Sequence, residues 1–474
     1  MSRAPRTKDR KDGPAEARGP ARGLLARLAR KAKLPKGSLV LSAFTAVAVA
    51  LGYVREGVIA YYFGTSAAVD TFLVAFTIPK LLVALVTNVI VLSLLPVYVA
   101  HLRAGETVAA TDLMQRGLAM LVAVLAVIAT VLALAPGPVM AMLAPGFDAA
   151  QTAETARLLR GLLPYTVLAS AAAMYKVVLD SHQRFWPPAA ARVLVTVLVI
   201  STVVLVSARI GIWALIVGYA LGGVLMFSLH LGGARGLDAV PRLRSLLRRP
   251  SVVGLPLAGV GWVALQLMLG QVFSIADRVF ASSLEAGSIA ALNYATAIIT
   301  APQNFVTAVL ATTLFPVLAR KVADGRARAA LREAVKWIAV VWVATLPLIV
   351  LIVVFRVEVV ALLLERGAFD RSSTGLVASI LAVTPLLIAI GGSNTILNRL
   401  LLARRNYRFT AGLAGLTGAI KIGLNAVFVG SLGVVGLALA SVLTGGLALV
   451  LRFVYLWKYG PAAPVPSKTP PARP

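Results

Sequence analysis

The segment VREGVIAYYFGTSAAVDTFLVAFTIP (residues 54–79) has a counterpart 223 positions later in the chain, DRVFASSLEAGSIAALNYATAIITAP (residues 277–302). The pairs that this alignment brings together include Arg55 with Arg278, Gly64 with Gly287, Asp70 with Asn293 and Pro79 with Pro302. A repeat at this distance predicts two structurally related halves, and in transporters such halves enclose a substrate site at their interface.

The composition places both halves in a membrane. Of the 474 residues, 59% are hydrophobic and 14% are charged, and the mean hydropathy is +0.88. Apolar runs of about 20 residues, the length that crosses a bilayer, recur along the whole chain. The predicted fold class is therefore all-α: a polytopic membrane protein with about 12 transmembrane helices, in two parallel six-helix lobes around a central cavity.

Twelve spans are predicted, at residues 38–63, 72–100, 117–135, 158–179, 188–207, 212–230, 252–282, 289–318, 334–355, 374–402, 410–429 and 433–457. The predicted domains are a basic cytoplasmic tail (1–37), an N-terminal lobe (38–230), a basic cytoplasmic linker (231–251), a C-terminal lobe (252–457) and a Pro-rich cytoplasmic tail (458–474). Prolines inside the spans are expected to kink their helices; they are Pro79, Pro164, Pro256, Pro302 and Pro385.

The distribution of basic residues predicts that both termini lie in the cytoplasm. With this orientation, 36 of the 46 Lys and Arg residues fall in or beside the inner segments. The outer loops hold only Arg157, Arg160, Arg209, Arg356, Arg366 and Arg371. Topology thus explains most of the net charge of +28. A nucleic-acid partner is not expected, because the basic tail has no aromatic residue among its charges.

Six ionisable side chains are assigned to the interior of the spans: Arg55, Glu56, Lys80, Asp277, Arg278 and Lys421. A charge at the bilayer centre costs about 2.5–3.5 kcal/mol, so such residues usually have a function. Because Arg55 and Arg278 occupy equivalent positions of the repeat, both are expected to face the central cavity. The positive excess suits an anionic ligand, and the planar guanidinium matches phosphate through two parallel hydrogen bonds.

Structural roles stay open for the same residues. Glu56 and Asp277 can offset the burial of the arginine next to each of them, and Lys421 can be a packing residue. Lys80 can extend toward the end of its helix, and Asp70 can cap a helix or complement its dipole.

Enzymatic function finds no support in the sequence. The chain has no cysteine and only three scattered histidines, so neither a thiolate nor a histidine metal site is predicted. It also lacks the GxxxxGK[ST] loop that would bind ATP. We therefore predict no catalytic residue, no metal site and no cofactor, and a coupling cation is left open.

The stretch GYVREGVIAYYFGTSAAVDTFLVAFTIPKLL resembles the opening signature of the MviN/MurJ lipid II flippases, in the multidrug/oligosaccharidyl-lipid/polysaccharide exporter superfamily. The resemblance resumes at ADRVFASSLEAGSIAALNYA, LLLERGAFDRSST and NAVFVGSLGVVGLALA, and it covers about residues 38–457. It implies two lobes around a V-shaped cationic cavity that carries an undecaprenyl-pyrophosphate-linked saccharide outward. It also implies that Arg55 matches a cavity arginine of the family, and Asp70 an acidic residue important there.

The chain departs from the family pattern at several positions. Where the family has an Arg-Arg pair and then Glu-Gly after the proline of its second helix, this chain has Val83, Ala84, Thr87 and Asn88. Two further family arginines fall near Val49 and at Ala297. The chain also ends after span twelve, without the additional helix pair of the lipid II flippases.

The sequence therefore predicts a flippase of the bacterial inner membrane that moves a lipid II-type peptidoglycan precursor from the inner to the outer leaflet by alternating access. Its pyrophosphate is expected at Arg55, Arg278 and Lys80, with coupling or supporting roles for Glu56, Asp70, Asp277 and Lys421. The expected partners are the lipid-linked glycan, membrane lipids and cell-envelope synthases. The alternatives are an exopolysaccharide or O-antigen repeat-unit flippase, a cation-coupled drug antiporter and a transport-dead membrane scaffold.

Overall fold

The computed structural model describes residues 36–238, 240–241, 257–404 and 406–459, and within these ranges it contains helices and turns but no strand. Ten of the described helices are long and apolar enough to cross a membrane. The predicted all-helical, multi-pass membrane fold is thus confirmed.

The helices of the two halves follow one another with short connections. In the first half they are α1 (Lys36–Phe63), α2 (Ala67–Arg103), α3 (Thr107–Leu134), α4 (Pro136–Leu143), α5 (Ala149–Ser181), α6 (Trp186–Ile210) and α7 (Trp213–Gly233). In the second half they are α8 (Leu257–Ala281), α9 (Ser288–Thr313), α10 (Phe315–Ala323), α11 (Ala327–Val354), α12 (Arg356–Leu364), α13 (Arg371–Leu381), α14 (Leu386–Ala403) and α15 (Tyr407–Lys458).

Two irregular helices explain how this set corresponds to the twelve predicted spans. α15 has 52 residues, but Gly433 adopts φ 55° and ψ −135°, which interrupts the helical backbone at the first residue of the last predicted span. The span predicted at 374–402 is divided into α13 and α14, and Pro385 stands at the start of the second helix. α8 occupies residues 257–281 of the span predicted at 252–282, although it is not one of the ten helices that are long and apolar enough to cross a membrane.

Three of the other predicted kink sites lie inside helices: Pro79 in α2, Pro164 in α5 and Pro302 in α9. Pro256 lies outside the described residues, as do most residues of the predicted tails and linker. The domain boundaries therefore stay predictions.

Each half packs mainly on itself. In the first half α1 packs on α6 and α2 packs on α5, while in the second α8 packs on α15 and α11 on α14. The halves meet where α2 contacts α8 and α9, and where α1 contacts α9. The helices that carry the sequence repeat therefore form the interface between the halves.

Candidate functional site

A cavity with a volume of about 80 Å³ lies between the two halves. It is lined by residues of α1, α2, α7, α8 and α9, namely Arg55, Glu56, Ile59, Val69, Phe72, Leu73, Phe76, Lys80, Tyr219, Arg278, Asn293 and Tyr294. The three predicted pyrophosphate ligands thus line one cavity, although they come from three helices and from both halves. Because Glu56 is the only carboxylate in this lining, the cavity walls carry an excess of positive charge.

Arg55 is held in one orientation by two neighbours. Its Nη2 donates to Oε1 of Glu56 at 2.6 Å, and its Nη1 donates to the hydroxyl of Tyr219 at 3.1 Å. Its Nε is buried and has no acceptor among the described residues. Glu56 in turn accepts a hydrogen bond from Nδ2 of Asn293 at 2.9 Å, so the Arg55–Glu56 ion pair also connects α1 to α9 of the other half.

Arg278 is oriented by a contact across the interface. Its Nη1 donates to Oγ1 of Thr77 on α2 at 2.6 Å. Thr77 is buried, and its hydroxyl donates to the carbonyl of Leu73 at 2.8 Å. Since this contact occupies only one guanidinium nitrogen, Arg278 keeps further donors for a ligand in the cavity.

Asp277 belongs to a separate cluster outside the cavity lining. Its Oδ2 pairs with Nζ of Lys421 at 2.7 Å, and its Oδ1 accepts from Nδ2 of Asn425 at 2.9 Å. Glu56 thus forms an ion pair with the arginine beside it, whereas Asp277 forms its ion pair with Lys421. Because Lys421 compensates its charge, Asp277 offers no unpaired carboxylate to a coupling cation, and its cluster holds α8 against α15.

Lys80 reaches the same cavity from α2. Its side chain is exposed, and it enters no ion pair among the residues that the structure describes. No group of three or more His, Asp or Glu residues in the described part of the chain could hold a metal ion. The described cavity thus presents an excess of cationic side chains to a ligand.

Asp70 caps a helix of the other half. It is only 3% exposed, and its two carboxylate oxygens accept from the backbone N–H of Gly287 at 2.6 Å and of Ala290 at 2.7 Å. The first N–H groups of a helix have no partner within it. This carboxylate accepts from one of them, at Ala290, and from the N–H of the N-cap residue Gly287, and it complements the dipole of α9. Asp70 thus has the capping role left open by the sequence, and it does not line the cavity.

Further hydrogen bonds join the halves at the same end of the molecule. They are Tyr294 OH to the carbonyl of Gly64 at 3.0 Å, Thr65 Oγ1 with Ser373 Oγ at 2.8 Å, and Ala368 N to the carbonyl of Tyr61 at 2.8 Å. Together with the Asp70 cap, they close the interface at the end where α1 stops and α9 begins.

Three polar residues of the site could not be identified from the sequence. Tyr219 stands in an apolar helix without any local pattern that marks it, and the repeat pairs Thr77 with Thr300 but does not indicate its contact with Arg278. Asn293 had a weak indication, because it is the repeat partner of Asp70. Its contact with Glu56 links residues 237 positions apart, which no local pattern can predict.

One known protein family matches most of the chain. A family sequence model described as "Lipid II flippase MurJ" matches residues 59–465. The chain belongs to the MurJ family of lipid II flippases. The match includes Asp70, Lys80, Asp277, Arg278 and Lys421, whereas Arg55 and Glu56 lie just before its first residue.

Curated MurJ relatives extend the similarity over nearly the whole chain. A "Probable lipid II flippase MurJ" of Rhizobium tropici is 29% identical over 429 residues, which cover 86% of this chain and 78% of the relative. The "Lipid II flippase MurJ" of Burkholderia cenocepacia is 29% identical over 448 residues, which cover 90% of this chain and 85% of the relative. The resemblance inferred from the motifs is thus confirmed.

Solved structures agree on the fold. A lipid II flippase MurJ in an inward closed conformation matches with a TM-score of 0.72 at 18% identity, over 89% of this chain and 87% of the other. A multidrug MATE transporter in an inward-facing conformation matches with a TM-score of 0.70 at 14% identity, over 86% of this chain and 93% of the transporter. Because the fold is common to both kinds of transporter, the MurJ family match is what favours a flippase over a drug antiporter.

Proposed function

We propose that this MurJ-family protein moves lipid II from the inner to the outer leaflet of the bacterial inner membrane by alternating access, with both termini in the cytoplasm. The observation that carries the proposal is the position of Arg55, Lys80 and Arg278 around one cavity between the halves, with a single carboxylate in its lining. Membership of the MurJ family supports a lipid-linked glycan as the substrate.

The cavity chemistry suits a pyrophosphate. Arg55 contributes a buried Nε without an acceptor, and Arg278 keeps donors beyond its bond to Thr77. Lys80 adds a compact charge that is free of ion pairs in the described part of the chain. Two guanidinium groups and an ammonium can thus share the oxygens of one pyrophosphate, while the prenyl tail stays in the lipid.

In the proposed orientation, the end of the interface that these hydrogen bonds close is the outer end. For release to the outer leaflet, the hydrogen bonds from Gly287 and Ala290 to Asp70 have to break together with the other contacts at this end. A ligand can shift such an equilibrium only through a difference in its affinity for the two states. We propose that the pyrophosphate supplies this difference by displacing the contacts of Arg55 and Arg278 that cross or border the interface.

The membrane potential assists this movement without a coupling ion. An interior-negative potential favours outward movement of an anion by about 2.3 kcal/mol per charge per 100 mV. The pairing of Asp277 with Lys421 supports a mechanism that needs no bound cation.

The experiment is transport of fluorescent lipid II in proteoliposomes, measured as the fraction of label that a membrane-impermeant reductant bleaches over time. We expect protein-dependent transport that accelerates when a potassium diffusion potential is imposed and does not change when Na⁺ is replaced by choline. A fluorescent undecaprenyl-pyrophosphate repeat unit serves as the competing substrate. Transport of the repeat unit but not of lipid II would contradict the proposed substrate, and transport of neither would contradict a flippase.

A further inference from the structure

A second cavity, with a volume of about 840 Å³, lies among the start of α11 and the ends of α14 and α15. Its lining contains five basic residues, which are Arg328, Arg332, Lys336, Arg404 and Lys458, and no acidic residue. We call this cavity the basic pocket. It shares no lining residue with the cavity between the halves, so it is not part of the proposed pyrophosphate site.

No ion pair among the described residues offsets the charges of four of these basic residues, which are Arg328, Arg332, Lys336 and Lys458. Arg328, Arg332 and Lys336 are exposed and follow one another at intervals of four residues, so they form one stripe on α11. Like charges at this spacing destabilise a helix unless an anion lies between them.

The acidic residue within this part of α11 is engaged elsewhere. Glu333 accepts from Nζ of Lys321 at 2.9 Å and from Nε1 of Trp337 at 3.1 Å, and it does not line the basic pocket. The pocket therefore has a strong preference for an anion that comes from outside the described chain.

The rest of the lining is apolar and partly exposed. It consists of Ala327, Leu331 and Val335 of α11 and of Phe453, Leu456 and Trp457 of α15. Trp457 is 73% exposed and Val335 41% exposed. Aromatic and basic residues at the ends of transmembrane helices lie at the depth of the lipid headgroups.

The terminal segments of the chain do not complement this pocket. Residues 1–37 carry 12 basic and three acidic residues, and residues 460–474 carry Lys468 and Arg473 without an acidic residue. A ligand with an anionic head and apolar chains matches both the charge and the walls of the pocket. Basic pockets between transmembrane helices bind anionic lipid headgroups by this combination of contacts.

We propose that the basic pocket binds an anionic phospholipid, with its phosphate between the α11 cations and Lys458 and its acyl chains along Val335, Phe453 and Trp457. The lipid would bridge α11 and α15 of the second half. This site is independent of the proposed transport function, because none of its residues lines the cavity between the halves.

The test compares lipid binding to the full-length protein in detergent, by native mass spectrometry with phosphatidylglycerol or phosphatidylcholine added. The pocket variant Arg332→Gln/Lys336→Gln is matched by Arg320→Gln/Arg326→Gln, which removes the same charge from exposed residues outside the pocket. Each basic residue contributes about fivefold to anionic-lipid affinity, so we expect roughly 30-fold weaker phosphatidylglycerol binding in the pocket variant. The matched variant should bind like the wild type.

Equal phosphatidylglycerol binding by the two variants would overturn the proposal, as would equal binding of phosphatidylcholine and phosphatidylglycerol by the wild type. Glycerol 1-phosphate is the headgroup control. If it displaces the lipid at comparable concentration, the apolar walls contribute nothing and the pocket is a small-anion site. If the double variant does not fold, Lys458→Gln at the exposed end of α15 replaces it, with a loss of about fivefold expected.

Discussion

Asp70 shows how much of this interface depends on single side chains. Its carboxylate accepts two backbone hydrogen bonds from residues 217 and 220 positions away in the chain. Sequence reasoning could place Asp70 near a helix end, but it could not name the helix, because the capped N-terminus belongs to the other half. The same holds for Asp277, whose partners are Lys421 and Asn425 rather than the arginine beside it.

Replacing Asp70 by Asn tests the cap. Asparagine keeps one acceptor oxygen but loses the second acceptor and the negative charge, so we expect the closed interface to weaken by about 1–3 kcal/mol. The measurement is hydrogen exchange of the amides of Gly287 and Ala290, which should become faster. Asp148→Asn is the control, because Asp148 caps α5 within its own half and is exposed. Unchanged exchange in Asp70→Asn would show that the cap does not hold the halves together.

The Asp277–Lys421 pair gives a second residue-scale prediction. Lys421→Met leaves the largely buried Asp277 without its counter-charge, and we expect the free energy of unfolding to fall by about 3 kcal/mol. The double variant Asp277→Asn/Lys421→Met should recover part of this loss, because no unpaired charge remains. Unfolding in detergent measures both effects. A double variant as unstable as the sum of its single changes would exclude a direct pair.

At the scale of elements, the start of α9 determines whether the interface can close. Gly287 has φ +92°, and a Cβ atom there would lie 2.2 Å from the carbonyl oxygen of Thr65. Gly287→Ala should therefore keep the halves apart at this end. Gly325→Ala is the matched control, because Gly325 also has a positive φ (+71°) but no atom within 4 Å of the added Cβ.

Spin labels at Ala150 and Arg371, which are exposed near this end in different halves, report the separation. We expect a longer or broader distance distribution in Gly287→Ala and an unchanged one in Gly325→Ala. An unchanged distribution in both variants would mean that the contact at Gly287 does not control closure.

The long helices could be predicted from the sequence, whereas the short ones could not. Apolar runs of about 20 residues mark a span by themselves. α4 has eight residues and α12 has nine, which is too short for a helical period to be recognised. The break at Gly433 falls at the predicted first residue of the last span, next to the predicted gap at residues 430–432.

For the whole molecule, the sequence was sufficient for the membrane class, the MurJ family and the three cations of the cavity. A charged residue within an apolar run can be identified from the residues next to it in the sequence. The repeat, which is visible in the sequence alone, relates Arg55 to Arg278. The contacts that orient these arginines were missed, because Thr77 and Tyr219 approach them from distant parts of the chain.

The orientation in the membrane is a prediction for the molecule as a whole. The chain has no cysteine, so single cysteines can be introduced without a background. Ala149→Cys and Ser372→Cys should react with an impermeant thiol reagent in intact cells, and Asp324→Cys should react only after lysis. All three positions are exposed, so a difference in labelling between them would reflect the side of the membrane and not local burial. Labelling of Asp324→Cys in intact cells would contradict the predicted topology.

The central claim is that Arg55 and Arg278 jointly hold a pyrophosphate. Lipid II transport by Arg→Lys variants in proteoliposomes, normalised to folded protein, tests it most directly. Lysine keeps the charge but loses the planar fork, so we expect each single variant to bind substrate about 10- to 150-fold more weakly. The double variant should be non-additive, because both arginines contact one headgroup. Arg399→Lys, whose guanidinium stacks on Phe315 away from the cavity, should transport nearly as the wild type does. Wild-type transport by Arg55→Lys/Arg278→Lys would contradict the shared pyrophosphate site.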